Sequence, residues 1–168
     1  MCIRDSANTQ MGNNNPYNQD NVITWINWEG ISDIGKQMAR FSRRLINLRR
    51  RLSYFKRRKF FTGQPEGRKK IKDLTWFTEN GTEFALADWQ NGDRRSLSYS
   101  VYNGRSYLYC ILNANNNMLK WRLPPLDERL KWNLLLDSSL EFNPPKELKS
   151  QQLIKVPSWS VLLFEIKK

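Results

Sequence analysis

Apolar residues at alternating spacings of three and four predict one amphipathic helix in the first third of the chain. The helix is expected to run from Asp33 to about Phe55, with Ser32 or Asp33 capping its first turn. Its apolar positions are Ile34, Met38, Phe41, Leu45, Leu48 and Leu52. They fall within a stripe about 80° wide, and arginines occupy the other side. This pattern indicates a helix that packs one face against a larger body.

Beyond Gly63 the apolar spacing changes to two, which is typical of β-strands. The pair Asn80-Gly81 predicts a tight hairpin turn between strands at 74–78 and 82–84. Further strands are expected at 96–102, 106–114, 118–123, 132–136, 151–156 and 158–166. Turn residues separate these short runs, so the pattern predicts a complete antiparallel β-sandwich over residues 71–168.

Charge is concentrated in one part of the chain. The chain carries 28 basic and 16 acidic residues, and 15 of the basic residues lie between Lys36 and Lys72 with Glu66 as the one acid among them. One interpretation of this segment is a nucleic-acid-binding module. The other is the solvated back of the predicted helix, which also accounts for the apolar stripe. Only non-specific, salt-sensitive affinity for nucleic acid is therefore expected, and no specific nucleic-acid partner.

Composition excludes several kinds of chemistry. Histidine is absent, which removes imidazole bases and histidine metal ligands, and two cysteines, Cys2 and Cys110, cannot form a cysteine-rich zinc site. Neither a glycine-rich phosphate loop nor a metal-binding cluster occurs, so no cofactor is expected. No apolar run reaches 18 residues, and the low cysteine usage favours a reduced, cytoplasmic location.

An amide-rich segment before the helix contains the most specific motif. The run is Thr9-Gln10-Met11-Gly12-Asn13-Asn14-Asn15-Pro16-Tyr17-Asn18-Gln19-Asp20-Asn21, followed by Trp25 and Trp28. It closely resembles the run Thr-Gln-x-Gly-Asn-Asn-Asn-Ala-Tyr-Cys-Gln-Asp-Asn of isoamylase-type glycogen debranching enzymes. Pro16 and Asn18 depart from that pattern by substitutions that a loop accepts. The helix motif from Leu45 to Arg51 and several strand residues extend the resemblance to about residue 166.

The resemblance implies a fold and an activity. The family consists of retaining glycoside hydrolases of the alpha-amylase superfamily that cleave α-1,6 branch linkages of glycogen, starch or limit dextrin. The amide-rich run then follows the eighth strand of a (β/α)8 barrel, and the helix is the eighth barrel helix. The expected fold is therefore mainly β, a C-terminal antiparallel β-sandwich preceded by the last loop and helix of a barrel.

The same resemblance assigns roles within the chain. The catalytic carboxylates of the family precede the part present here, so no catalytic residue is carried over and the isolated chain is expected to be inactive. Because barrel sites are built from loops that follow strands, the loop is expected to contact glucan. The candidate substrate-binding residues are Asn13, Asn14, Asn15, Tyr17 and Asp20.

The expected organisation has four parts. Residues 1–6 do not resemble the family and suggest a foreign junction, 7–62 form the end of the barrel, 63–70 a linker and 71–168 the sandwich. A stand-alone carbohydrate-binding β-domain remains an alternative, in which tryptophans form a sugar-stacking surface instead of a core. The tryptophans in question are Trp76, Trp89, Trp121, Trp132 and Trp159.

Overall fold

The computed structural model describes residues 7, 9–66, 70–139 and 147–167. The suggested junction at 1–6 and part of the basic segment, 67–69, lie outside these residues. The chain divides into two compact units, Met1–Lys56 and Arg57–Lys168. The division of the chain into barrel end, linker and sandwich stays a prediction.

The first unit contains one long helix, α1, at Asp33–Arg51, with 3-10 helices at Pro16–Asn18 and Ser53–Lys56. The Ser32 hydroxyl accepts a hydrogen bond from the Gly35 N–H at 3.1 Å, which confirms the predicted cap. Three arginines in the last turn interact favourably with the negative end of the helix dipole and so stabilise the helix. The helix ends four residues earlier than predicted, because Leu52 adopts an extended backbone and a 3-10 turn follows.

Burial along the predicted apolar stripe of α1 is uneven. Ile34, Met38 and Leu45 remain exposed, whereas Leu52 is buried. Within the described part of the chain, the apolar face of the helix is therefore only partly covered.

The second unit is mainly β and consists of ten strands and one short helix within the described residues. The strands are β1 (Pro65–Glu66), β2 (Ile71–Lys72), β3 (Leu74–Phe77), β4 (Ser96–Tyr102), β5 (Tyr107–Asn113), β6 (Leu119–Arg122), β7 (Lys131–Asp137), β8 (Glu147–Leu148), β9 (Leu153–Val156) and β10 (Ser160–Lys167). Helix α2 spans Leu86–Gln90. The main sheet is antiparallel in the order β3-β4-β5-β10-β7-β8, and β6 pairs with β9 in a second sheet.

The core lies between the six-stranded sheet and the β6–β9 pair. Its fully buried members include Tyr109 and Phe164 from the main sheet and Trp121 and Val156 from the pair. A polar network crosses this core, because the Tyr109 hydroxyl accepts from the Trp121 indole at 2.8 Å and bonds the Ser98 hydroxyl at 2.6 Å. Two antiparallel sheets sharing one core confirm the mainly β architecture and fit a β-sandwich.

One predicted strand of the β unit is shortened in the structure, and one helix was not predicted. The second strand of the first hairpin, 82–84, is reduced to a single bridge between Phe77 and Glu83. Gly81 has a φ of +74°, and a Cβ there would lie 2.9 Å from the Arg122 carbonyl oxygen. The chain therefore turns tightly against β6 at this point and continues into α2, which the sequence pattern did not predict.

Candidate functional site

The amide-rich loop is built from turns closed by its own side chains. Gly12 has a φ of +83°, and the Asn13 N–H donates to the Gln10 carbonyl at 3.0 Å. The Asn13 carboxamide then accepts from the Asn15 N–H at 3.1 Å and donates to the Gln19 side chain at 2.8 Å. Asn13 thereby holds the two ends of the 3-10 turn at Pro16–Asn18 together.

The second half of the loop is fixed in the same way. The Trp25 indole N–H donates to the Asp20 carboxylate at 2.6 Å, and the Thr24 hydroxyl donates to the Gln19 carbonyl at 2.8 Å. The Asn21 carboxamide accepts from the Ile23 N–H. The second carboxylate oxygen of Asp20 makes no hydrogen bond within the described residues, so it can still accept one from a hydroxyl group.

The remaining predicted site residues are presented at the surface. Tyr17 is 88% exposed, and Asn14 and Asn15 are exposed beside it. These three side chains make no hydrogen bond with any residue that the structure describes. A phenol ring offers a flat apolar face, and carboxamides offer paired donors and acceptors. These exposed side chains can bind a neutral, hydroxyl-rich ligand, whereas Asn13 and Asp20 mainly hold the loop in shape.

Metal chemistry has no visible support in this loop. Within the described ranges, no group of three or more His, Cys, Asp or Glu side chains could hold a metal ion. Between residues 7 and 56, the carboxylates are those of Asp20, Glu29 and Asp33.

The basic side of α1 forms an open groove of about 350 Å³. Its lining residues are Arg40, Arg43, Arg44, Asn47, Leu48 and Arg51. Such a concentration of cations attracts polyanions through charge alone. Specific recognition also needs contacts to base edges, so the expected lack of a specific nucleic-acid partner stays a prediction.

The five tryptophans of the β unit have different environments. Trp121 and Trp132 are fully buried in the core, which excludes them from a sugar-stacking surface. Trp76 and Trp89 pack edge to face with ring centroids 5.4 Å apart, and Trp89 is 53% exposed. Trp159 is exposed in the turn before β10. The sequence pattern alone could not separate these environments, because tryptophan, although buried on average, also occurs at exposed positions.

Comparison with known proteins identifies relatives of the chain. It is 29% identical over 147 residues to a glycogen operon protein GlgX homolog of Mycobacterium tuberculosis, a match covering 78% of this chain and 20% of the relative. It is 32% identical over 88 residues to a glycogen debranching enzyme of Klebsiella pneumoniae, covering 52% of this chain and 12% of that protein. An isoamylase of Flavobacterium sp is 22% identical over 140 residues, a match covering 80% of this chain and 18% of the isoamylase.

Among solved structures, isomaltulose synthase from Klebsiella sp. aligns with a TM-score of 0.46 and 10% identity, over 77% of this chain and 18% of that one. No protein-family model matches the chain.

These relatives confirm the resemblance to isoamylase-type glycogen debranching enzymes that the amide-rich run indicated. The chain spans about a fifth of the length of the curated relatives it matches. Among the described residues, none of the helices is long and apolar enough to cross a membrane.

Proposed function

We propose that this chain is part of a longer glycogen debranching enzyme that hydrolyses α-1,6-glucosidic branch linkages. The observation that carries the proposal is the match of 147 residues to proteins named for glycogen metabolism, supported by similarity to enzymes named for debranching. The exposed amides and phenol of the loop support it, because they suit a neutral glucan.

The chemistry requires residues that lie elsewhere in such an enzyme. A retaining glycoside hydrolase uses a nucleophilic carboxylate and a carboxylic acid about 5–5.5 Å apart. In the family that the chain resembles, these groups sit on barrel strands four and five, with a third aspartate after strand seven. None of those motifs occurs in this sequence. A barrel of about 250 residues fits readily within the unmatched four fifths of the relatives.

The loop is assigned to substrate binding in this proposal. Tyr17 stacks on a glucose ring, and Asn14 and Asn15 exchange hydrogen bonds with vicinal hydroxyls. Asn13 and Asp20 keep the loop in shape through Gln19 and Trp25, and the free oxygen of Asp20 accepts from a further hydroxyl. Helix α1 follows as the last barrel helix, and the β unit forms the C-terminal sandwich.

The proposal is tested by measuring reducing ends released from glycogen. The longer protein that contains this sequence should release linear α-1,4 chains, and purified 1–168 should release none above buffer. Release by 1–168 that follows the protein through purification would show that the chain holds its own catalytic groups. A longer protein without activity on any branched α-glucan would contradict the assignment.

A further inference from the structure

The turn that precedes β10 contains a tryptophan in an unfavourable backbone conformation. Trp159 has a φ of +49° and is 68% exposed. A bulky residue with positive φ is uncommon, because its Cβ crowds the backbone, and glycine or asparagine serves such a turn at lower cost. Burial does not explain the choice, since most of the indole lies in solvent. Backbone strain of this kind is a reason to look for a function.

A buried asparagine joins this turn to the turn between β5 and β6. Asn113 is 3% exposed, and its side-chain nitrogen donates to the carbonyls of Pro157 at 2.7 Å and Asn117 at 3.1 Å. Its side-chain oxygen accepts from the Asn115 N–H at 3.0 Å. The Trp159 N–H in turn donates to the Asn115 carbonyl at 3.2 Å. The two turns therefore form one hydrogen-bonded platform.

The surface of this platform is uncharged and contains amides together with the exposed Met118. Residues 113–119 and 156–161 contain no charged side chain. Asn116 and Asn117 are exposed, and their side-chain amides make no hydrogen bond within the described part of the chain. An exposed indole and free amides on two turns joined by hydrogen bonds offer a flat apolar face together with paired donors and acceptors.

We propose that Trp159, Asn116 and Asn117 form a second α-glucan-binding site on the β unit, separate from the amide-rich loop. The indole stacks on a glucose ring, and the two amides bond its hydroxyls. The inference that the ligand is an α-glucan rests on the proposed function. The uncharged platform favours a neutral sugar chain over a polyanion.

One neighbouring feature defines the competing ligand. Lys120 and Lys155 are paired across β6 and β9, close to the platform, and both are exposed. Like charges in this position repel each other and would attract a phosphate backbone. Binding of single-stranded nucleic acid at Trp159 would weaken steeply with salt, whereas stacking of a neutral glucan would not.

The test compares two glycine variants of the full 1–168 chain. Trp159→Gly removes the indole and the strain together, and Gln151→Gly is the matched control because Gln151 is an exposed residue with a φ of 55° at the other end of β9. Affinity for maltoheptaose is measured by calorimetry, with thermal unfolding in parallel. Trp159→Gly should weaken binding about tenfold or more, which corresponds to 1.4 kcal/mol. Both variants should melt within about 4 °C of the parent.

The same variants are also made in a chain that carries Tyr17→Ala, which removes the contribution of the amide-rich loop to maltoheptaose binding. The effect of Trp159 can then be measured whether or not the loop binds glucan. Unchanged affinity in Trp159→Gly, or no maltoheptaose binding by the parent, overturns the inference. The inference is also overturned if single-stranded RNA binds in a salt-sensitive manner that depends on Trp159 while glucan binding does not depend on Trp159. If Trp159→Gly fails to fold, the affinities of Trp159→Phe and Trp159→Leu for maltoheptaose test the inference instead. Retained affinity with Phe and loss with Leu supports stacking, and equal loss contradicts it.

Discussion

Asp73 shows how one buried carboxylate organises the start of the β unit. It is 2% exposed, and it accepts hydrogen bonds from the N–H groups of Thr62 and Gly63 and from the Arg57 guanidinium at 2.7 Å. Burial disfavours its charge, but the two backbone donors and Arg57 outweigh burial and hold the pKa of Asp73 below its usual value. The carboxylate therefore ties the segment 57–63 to β3.

Replacing Asp73 by Asn should destabilise the chain by about 2–4 kcal/mol, because Arg57 loses its counter-ion and the two N–H groups lose charged acceptors. Urea unfolding at neutral pH measures this. Glu83→Gln is the control, since it breaks the exposed pair with Lys72 and should cost less than about 1 kcal/mol. Similar costs for both variants would refute the organising role of Asp73.

The same carboxylate predicts a pH dependence. Because the pKa of Asp73 is lower in the folded chain, its stabilisation is complete above the unfolded value of about 3.9 and is lost as the pH falls through the folded pKa. Asp73→Asn should therefore lose stability less steeply than the parent below about pH 4. Identical acid profiles of the free energy of unfolding would contradict this.

Tyr109 is the corresponding polar centre of the core. Burial raises the pKa of its phenol, and the hydroxyl stays neutral between the Ser98 hydroxyl and the Trp121 indole. Burial also raises the pKa of the neighbouring Cys110 thiol to about 11, so this thiol is unreactive in the folded chain.

Tyr109→Phe should cost about 1–3 kcal/mol, because the buried Trp121 N–H loses its acceptor and the Ser98 hydroxyl keeps only its bond to the Phe77 carbonyl. Tyr102→Phe, which removes an exposed bond to the Gly104 carbonyl, should change stability by less than about 0.5 kcal/mol. Denaturant titration compares the two. A Tyr109→Phe midpoint equal to that of the parent would show that the network contributes nothing.

At the scale of elements, the sequence pattern predicted what depends on local periodicity. Strand β4 matches its predicted bounds because Ser alternates with larger residues from Ser96 to Tyr102. Helix α2 was missed because five residues are too few for a helical period, and its first turn is closed by Asp88 accepting from the Ala85 N–H. The role of Asp73 was not predictable, since its partners lie 10 to 16 residues away in sequence.

The candidate site shows the same limit. The motif located the amide-rich loop, but motif matching could not divide its residues between holding the loop and facing solvent. That division follows from particular pairs, Asn13 with Gln19 and Asp20 with Trp25. Likewise, residues 115–117 separate the predicted strands at 106–114 and 118–123, but the link of this turn to Trp159 and, through Asn113, to Pro157 appears only in the fold.

Helix α1 should be less stable than the strands in the isolated chain. Its apolar side chains Ile34, Met38 and Leu45 are exposed, and isolated helices are marginal in water. Hydrogen exchange on 1–168 should be fast at 33–51 and slow in β5 and β10. Equal, cooperative protection of helix and strands in a monomer would contradict this view and the interpretation of α1 as a barrel helix.

For the whole molecule, two kinds of structure are joined in one chain. The β unit has its own sealed core, whereas the first unit carries a loop held by its own side chains and a helix with a partly covered apolar face. The Mycobacterium tuberculosis relative is about five times longer than the segment that it matches. In the proposed function, the rest of a longer enzyme carries out catalysis, and the loop contacts the substrate.

The most direct test is Tyr17→Ala in the longer enzyme, with Val22→Ala as an exposed control close by. The measurement is kcat/KM on a branched glucan together with the thermal midpoint. Tyr17→Ala should weaken transition-state binding by about 1–3 kcal/mol while the midpoint moves by less than about 2 °C. Val22→Ala should change neither value. An unchanged kcat/KM would contradict the role of Tyr17 in substrate binding, and a fall in the midpoint with kcat/KM intact would show that Tyr17 serves the fold instead.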